Sequence, residues 1–214
     1  MELTSMARNE VCKKPNNEME INNCLDDKIF KKYLNLFNDK SFIGDSNKLS
    51  GFGSTTHLSV IDKDYNTVSI TTTNGEGSGI FIPEFGILMN NMLGEQDLNP
   101  FGFHQWPIKR RLPTMLSPTI IFKKNKPLYA IGSGGSNRIR SAIIQVILNL
   151  TIKKMSLKES IEESRIHLEG NKLFLEPNII LPNNRYLEHL DIDYFNKKSL
   201  FFGGVNCAGI DDAF

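Results

Sequence analysis

The stretch Gly53-Ser54-Thr55-Thr56-His57-Leu58-Ser59-Val60-Ile61-Asp62 marks where a loop rich in glycine and serine gives way to a strand. Leu58, Val60, Val68 and Ile70 alternate with Ser59, Ile61, Ser69 and Thr71 about a turn at Asp64-Tyr65-Asn66, and this period of two predicts a β-hairpin. Thr55 then stands at the mouth of the first strand. Hydroxyls at that place have a plain explanation, since threonine is β-branched, favours strands and flanks turns without doing chemistry. Whether Thr55 does chemistry depends on what the rest of the chain brings to it.

The chain has 214 residues, 40% of them hydrophobic, enough for one core of ordinary size and hence one domain by default. A formal net charge of +1 provides no global field for nucleic acid or an anionic membrane, and neither partner is expected. Cys12, Cys24 and Cys207 are odd in number and lack the spacing of metal ligands, so they read as free thiols, with no metal or cofactor expected. Met1 to Asn17 lacks the apolar core of a signal peptide, and no later run reaches membrane-spanning length. Taken literally this is a cytoplasmic chain; a fragment of a longer secreted precursor would be periplasmic or extracellular.

Residues 1 to about 25 are polar and aperiodic. Asp26 to Asp39 space Ile29, Phe30, Tyr33, Leu34 and Phe37 as one face of a helix, with acid at its N-terminal end. Residues 44 to 53 form a linker. Asn74-Gly75-Glu76-Gly77-Ser78-Gly79 is too rich in glycine for regular structure and reads either as a ligand-approaching loop or as a plain connector. Gly86 to Met89 reads as a short buried strand, followed by an irregular stretch anchored by Trp106. Thr119 to Phe122 and Leu128 to Ile131 predict a second hairpin around a solvated basic turn. Ile139, Ala142, Ile143, Val146, Ile147 and Leu150 predict a helix from Asn137 to about Lys153. Ser156 and Glu159 make a capping box for another helix, ending near Arg165. Lys172 to Leu175, Ile179 to Leu181 and Ser199 to Val205 read as strands, and Tyr186 to Phe195 as a short helix. The order of elements suits an α+β domain with helices covering antiparallel sheets.

Four motifs stand in register: Thr55-Thr56-His57-Leu58-Ser59-Val60-Ile61-Asp62; Gly86-Ile87-Leu88-Met89-Asn90-Asn91; Leu116-Ser117-Pro118-Thr119; and Gly132-Ser133-Gly134-Gly135-Ser136-Asn137-Arg138-Ile139. In order and spacing they resemble the small subunit of the gamma-glutamyltranspeptidase family, over nearly everything from Gly53 onward. The resemblance implies the N-terminal-nucleophile hydrolase fold, two antiparallel sheets between helical layers (αββα), of which this chain would hold part. It divides the chain into residues 1–54, a remnant of the large-subunit end with one helix, and 55–214, the small-subunit-like domain.

The resemblance also implies a chemistry. A threonine hydroxyl is a poor nucleophile unless a base lies within hydrogen-bond reach. Family members cut themselves before the corresponding threonine, here at Ser54-Thr55, and the freed α-amine serves as that base. An unperturbed α-amine titrates at roughly 7.7 to 8.0, so a useful neutral fraction exists at physiological pH. Acyl transfer from a γ-glutamyl amide such as glutathione would follow. The oxyanion would be held at the glycine loop, where register by glycine pair names Gly134 and Gly135, and gap-free register names Gly135 and Ser136. A phosphate cradle is the alternative for this loop, discounted because no P-loop Lys-Ser/Thr pair follows.

Substrate contacts map less completely. Where the family has a glutamine and an aspartate after the Asn-Asn pair, this chain has Met92-Leu93-Gly94-Glu95, leaving Glu95 for the substrate's α-amino group. The paired serines before Ser-Pro become Thr114-Met115, keeping one hydroxyl at Thr114. Thr73 and Asn74 fall near positions that bond the nucleophile or the glutamyl carboxylate. His57 reads as structural, since the α-amine fills the role of base. The family's large subunit supplies an arginine for the substrate carboxylate, so large-subunit sequence is an expected partner. The remaining alternatives are an acylase for glutaryl or other amides, suggested by Met92, and a non-catalytic fragment of the fold.

Overall fold

The computed structural model describes residues 26–39, 55–99, 101–183 and 187–210, together with Met6 and Glu10. The sequence-derived linker and the Ser54-Thr55 bond lie outside the described residues, as do Cys12 and Cys24.

Helix α1 (Asp27–Asp39) forms where the apolar spacing placed it, and the Asp26 carboxylate accepts from the Lys28 amide at its start. Strands β1 (Thr55–Ile61) and β2 (Thr67–Thr73) pair antiparallel from Thr55↔Thr73 to Ile61↔Thr67. Their turn is closed by Asp62, whose carboxylate accepts from the amides of Asp64 and Asn66. The hairpin packs against β6 (Lys126–Gly134), the central strand of an antiparallel sheet in the order β10-β6-β5 with β5 (Thr119–Lys123) and β10 (Gly204–Gly209). β6 is buried from Pro127 to Ser133 because it is covered on both faces, by the β1–β2 hairpin and by helix α2 (Arg138–Thr151). The core is made by Tyr129 and Ile131 of β6 with Ile139, Ile143, Val146 and Leu150 of α2.

The hairpin carries its apolar residues on the outside. His57, Ser59, Thr71 and Thr73 face inward, whereas Leu58, Val60, Val68 and Ile70 are 56, 44, 42 and 49% exposed. Alternation gives the period of a strand but not which face is covered. A second apolar arm is formed by β3 (Phe81–Ile82) and β4 (Ile87–Leu88). The Gly86 to Met89 run was expected to be buried; instead Phe81, Phe85, Ile87 and Met89 are all exposed, because no other element among the described residues packs extensively on this two-stranded arm.

Beyond α2, the capping box forms as read: Ser156 accepts from the Glu159 amide and Glu159 from the Ser156 amide. Its helix, α3 (Leu157–Glu162), stops before Arg165. Buried Arg165 is drawn away by its own partners, donating to the Ile161 and Gly203 carbonyls, while its amide donates to Glu176. The chain then enters β7 (Ile166–Glu169), a strand the sequence reading missed, which turns through Gly170-Asn171 into β8 (Lys172–Leu175). Residues 179–181 are not a strand, and the expected helix over Tyr186 to Phe195 contains instead β9 (Asp191–Tyr194), parallel to β8. Pairing to a strand remote in sequence overrides local helical spacing there. The expected strand at Ser199 to Val205 is split by a helical turn at Leu200–Phe202 and by Gly203, whose φ of +84° no strand residue adopts; β10 begins only after it.

Candidate active site

Thr55 opens β1 directly opposite Thr73, and its Oγ1 donates to Thr73 Oγ1 at 3.1 Å. The Thr73 hydroxyl in turn accepts from the Gly75 amide at 2.9 Å, which fixes it in place. These three residues form one side of a shallow cleft about 30 Å³ in volume. Met92, Glu95 and Leu98 form the next wall, Thr114, Met115 and Leu116 the third, and Ser136 with Ile139 the last.

Each wall is held by backbone chemistry. Asn99 is buried and donates to the carbonyls of Leu93 and Glu95, locking two single helical turns, Met92–Gly94 and Gln96–Leu98. The Trp106 indole donates to the Leu98 carbonyl and packs edge-on against Phe101, so it anchors the irregular stretch. Asn91 accepts from the Glu76 amide and Asn90 from the Met92 amide. Gly75 lets the wall close: a Cβ there would lie 2.2 Å from both Asn91 Oδ1 and Glu95 Oε1. Burial, then the neighbouring Asp97 and Glu76 carboxylates, push Glu95 above the usual carboxylate range. An arriving cation would counter the shift by favouring the charged carboxylate.

The glycine loop crosses the other side. A Cβ on Gly134 would fall 2.6 Å from the Thr55 carbonyl oxygen, and one on Gly135, whose φ is +130°, would fall 2.9 Å from Gly203 Cα. Glycine is therefore required at both positions for close approach. Ser136, at φ +51°, lines the cleft, whereas Gly134 and Gly135 do not. α2 starts immediately afterwards, so the positive end of its dipole opens beside Thr55.

His57 lies two residues along from Thr55, but its ring is spoken for. Nδ1 pairs with Thr71 Oγ1 at 2.7 Å and Nε2 with Ser59 Oγ at 2.8 Å, and burial lowers its pKa below 6.5. Cys207, half-buried on β10, is no rival nucleophile, since burial pushes its thiol up to about 12.

Of the residues singled out from the sequence, Thr55, Thr73, Glu95, Thr114 and Ser136 come together around one cleft. Asn74 is exposed and outside that lining; its carbonyl accepts from the Gly77 and Asn91 amides. Sequence reasoning did not single out Gly75, Leu98, Leu116 or Ile139 as lining residues. Gly75 had a visible signal in the Asn74-Gly75 step, but the three aliphatic residues look like ordinary core positions until the fold brings them to the cleft.

The glutathione hydrolase proenzyme of Bacillus subtilis (strain 168) is 39% identical to this chain over 117 residues, covering 54% of this chain and 20% of the relative. The capsule biosynthesis protein CapD proenzyme of Bacillus anthracis is 32% identical over 177 residues, covering 81% of this chain and 32% of its own length. The crystal structure of the Bacillus anthracis transpeptidase enzyme CapD matches with a TM-score of 0.56 at 29% identity, over 73% of this chain and 87% of that one. This chain thus spans between a fifth and a third of the length of these curated relatives. The gamma-glutamyltranspeptidase family profile matches residues 1–213. With that match extending over nearly all of its length, the chain belongs to the gamma-glutamyltranspeptidase family.

Proposed function

We propose that this chain carries the nucleophile of a γ-glutamyl hydrolase or transferase acting on glutathione and related γ-glutamyl amides. The observation that supports this best is the sequence of contacts from Thr55 Oγ1 to Thr73 Oγ1 to the Gly75 amide, on a cleft whose opposite wall begins α2. Cleavage of Ser54-Thr55 frees the Thr55 α-amine. That amine takes the hydroxyl proton as Oγ1 attacks the substrate's amide carbon, and the tetrahedral oxyanion forms at the start of α2, where Ser136 lines the cleft. Collapse expels the amine, which leaves with the transferred proton, and an ester remains on Thr55. Water or an amino acid then attacks that ester by the same route in reverse. Glu95 receives the α-ammonium of the glutamyl group, and Thr114 lies where its far end lands.

The large-subunit sequence of the family is the partner in this reading. Two apolar surfaces support it, the outer face of β1–β2 and the β3–β4 arm, both exposed among the described residues. Helices packed on the first of these would complete the four-layer αββα arrangement. The cleft is open on one side, and the same partner would supply its remaining wall.

A second reading, an acylase for glutaryl or similar amides, draws on Met92 and Met115, which give the cleft two thioether walls. Paired assays with large-subunit sequence of the family supplied separate the two. Hydrolysis of a γ-glutamyl anilide well above that of a glutaryl anilide, abolished by Thr55→Ala, is the expected result. The reverse preference would replace the first reading with the second, and no Thr55-dependent turnover of either would overturn both.

A further inference from the structure

We propose that Asn137 and Glu169 form a positioning pair that sets the Gly135-Ser136 loop against Thr55. This rests on the reading of Thr55 as nucleophile and of the start of α2 as the oxyanion wall. Asparagine at the first position of a helix ordinarily turns its side chain onto the helix's own amides. Asn137 occupies that position, with φ −56° and ψ −26°, and makes no such bond. Its Nδ2 instead donates 3.1 Å across to Glu169 Oε1, on β7, 32 residues away in sequence. The helix start is left free of its own side-chain cap, and the side chain is spent on a tertiary link.

The far end of that link is unusually constrained. Glu169 is nearly buried, and its Oε2 has no hydrogen-bond partner; it faces His167 Nε2 at 3.7 Å, also without one. His167 Nδ1 pairs with Ser141 Oγ at 2.9 Å, a second tie from β7 to the first turn of α2. Beside them Arg138 lies over the Phe201 ring at 4.8 Å and donates Nε to the Phe201 carbonyl, with Nη1 buried and unbonded. Despite its burial, the Glu169 carboxyl is held below the ordinary carboxylate range by His167, by the Asn137 hydrogen bond and by the nearby Arg138 guanidinium, so it stays a charged acceptor for Asn137. Its geometry makes sense as an anchor.

What it anchors has no slack. Gly134 is pressed on the Thr55 carbonyl and Gly135 on Gly203, so the loop's entry is fixed by contact and its exit by Asn137. Oxyanion donors act only when aimed to within a few tenths of an ångström, which makes the exit residue a determinant of rate without touching the substrate.

The test uses the full protein with Thr55 liberated, joined by large-subunit sequence of the family, and a γ-glutamyl anilide. Asn137→Ala, at a half-buried site, is expected to lower kcat by about tenfold or more with KM held within about twofold, in protein that stays folded at the assay temperature with a Tm lowered by the lost Glu169 partner. Glu169→Gln keeps the acceptor oxygen and is expected to retain most of the activity. Glu169→Ala should match Asn137→Ala, and the double variant should be no worse than either, since both remove one link. If Glu169→Ala fails to fold, the Asn137→Ala and Glu169→Gln pair decides. A wild-type kcat in Asn137→Ala overturns the inference while leaving Thr55 as nucleophile. Additive losses, or losses that follow unfolding, reduce the pair to a structural contact. No turnover by the wild type overturns the reading of Thr55, and the inference with it.

Discussion

His57 lies flat on Gly132, so closely that a Cβ on the glycine would fall 2.1 Å from both Nδ1 and Cε1 of the ring. The imidazole fills the space between β1 and β6 that a side chain on β6 would otherwise take. Gly132→Ala must therefore push the hairpin off the sheet or eject His57 from its two hydroxyl partners. Overpacking of this kind costs about 1 to 3 kcal/mol, and breaking the two hydrogen bonds adds to it. Thermal unfolding is expected to show a clearly lowered Tm, and an unchanged Tm would contradict the described packing.

Because both His57 nitrogens are bonded to hydroxyls, His57→Gln is expected to keep kcat within about tenfold, far from the loss in Thr55→Ala. The pH dependence gives a second readout. Burial holds His57 below 6.5, so the unfolded chain binds its proton first, and His57 contributes a loss of stability as pH falls below 6.5 and through the lower folded-state value. Replacing it with glutamine should flatten that part of the acid unfolding curve. A loss of kcat equal to that of Thr55→Ala would instead make His57 the base.

Glu95 titrates above an ordinary carboxylate because of burial and the charges of Asp97 and Glu76. If it holds the substrate ammonium, KM for γ-glutamyl anilide should rise as pH falls through that raised value, since the protonated acid no longer offers a charge. Glu95→Gln should remove this dependence and cost roughly ten- to hundredfold in kcat/KM, with little effect on a glutaryl substrate, which has no ammonium. Equal losses on the two substrates would show that Glu95 merely shapes the wall.

Leu58, Val60, Val68 and Ile70 present an apolar strip that a partner is expected to cover. Val60→Lys with Ile70→Glu should leave residues 1–214 folded by circular dichroism but abolish co-purification with large-subunit sequence of the family. Retained association would place the interface elsewhere.

Both hairpins at Thr55 and Thr119, helix α2 and the Ser156 capping box were legible because each is written in a local period or a short-range bond. Of the sheet of β7, β8 and β9, only β8 was legible, at Lys172 to Leu175 as read. Its Gly170-Asn171 turn was a readable sign, but β9 is a strand only because β8 lies beside it, and no local spacing records that. In the cleft, Thr55, Glu95, Thr114 and Ser136 could be singled out by residue type and motif. Leu98 and Ile139 could not, since an aliphatic residue gives the same sequence signal in a core and on a pocket wall. The Asn137–Glu169 link was equally hidden, because an asparagine at a helix start reads as a cap.

The central claim is that Thr55, at a chain terminus, carries the acyl group. The most direct measurement is mass spectrometry of the full protein quenched while turning over a γ-glutamyl anilide. The expected result is a peptide beginning at Thr55, with a γ-glutamyl ester on that residue, absent from Thr55→Ala and sensitive to hydroxylamine. An intact Ser54-Thr55 bond in protein that turns over, or undiminished turnover by Thr55→Ala, would contradict it.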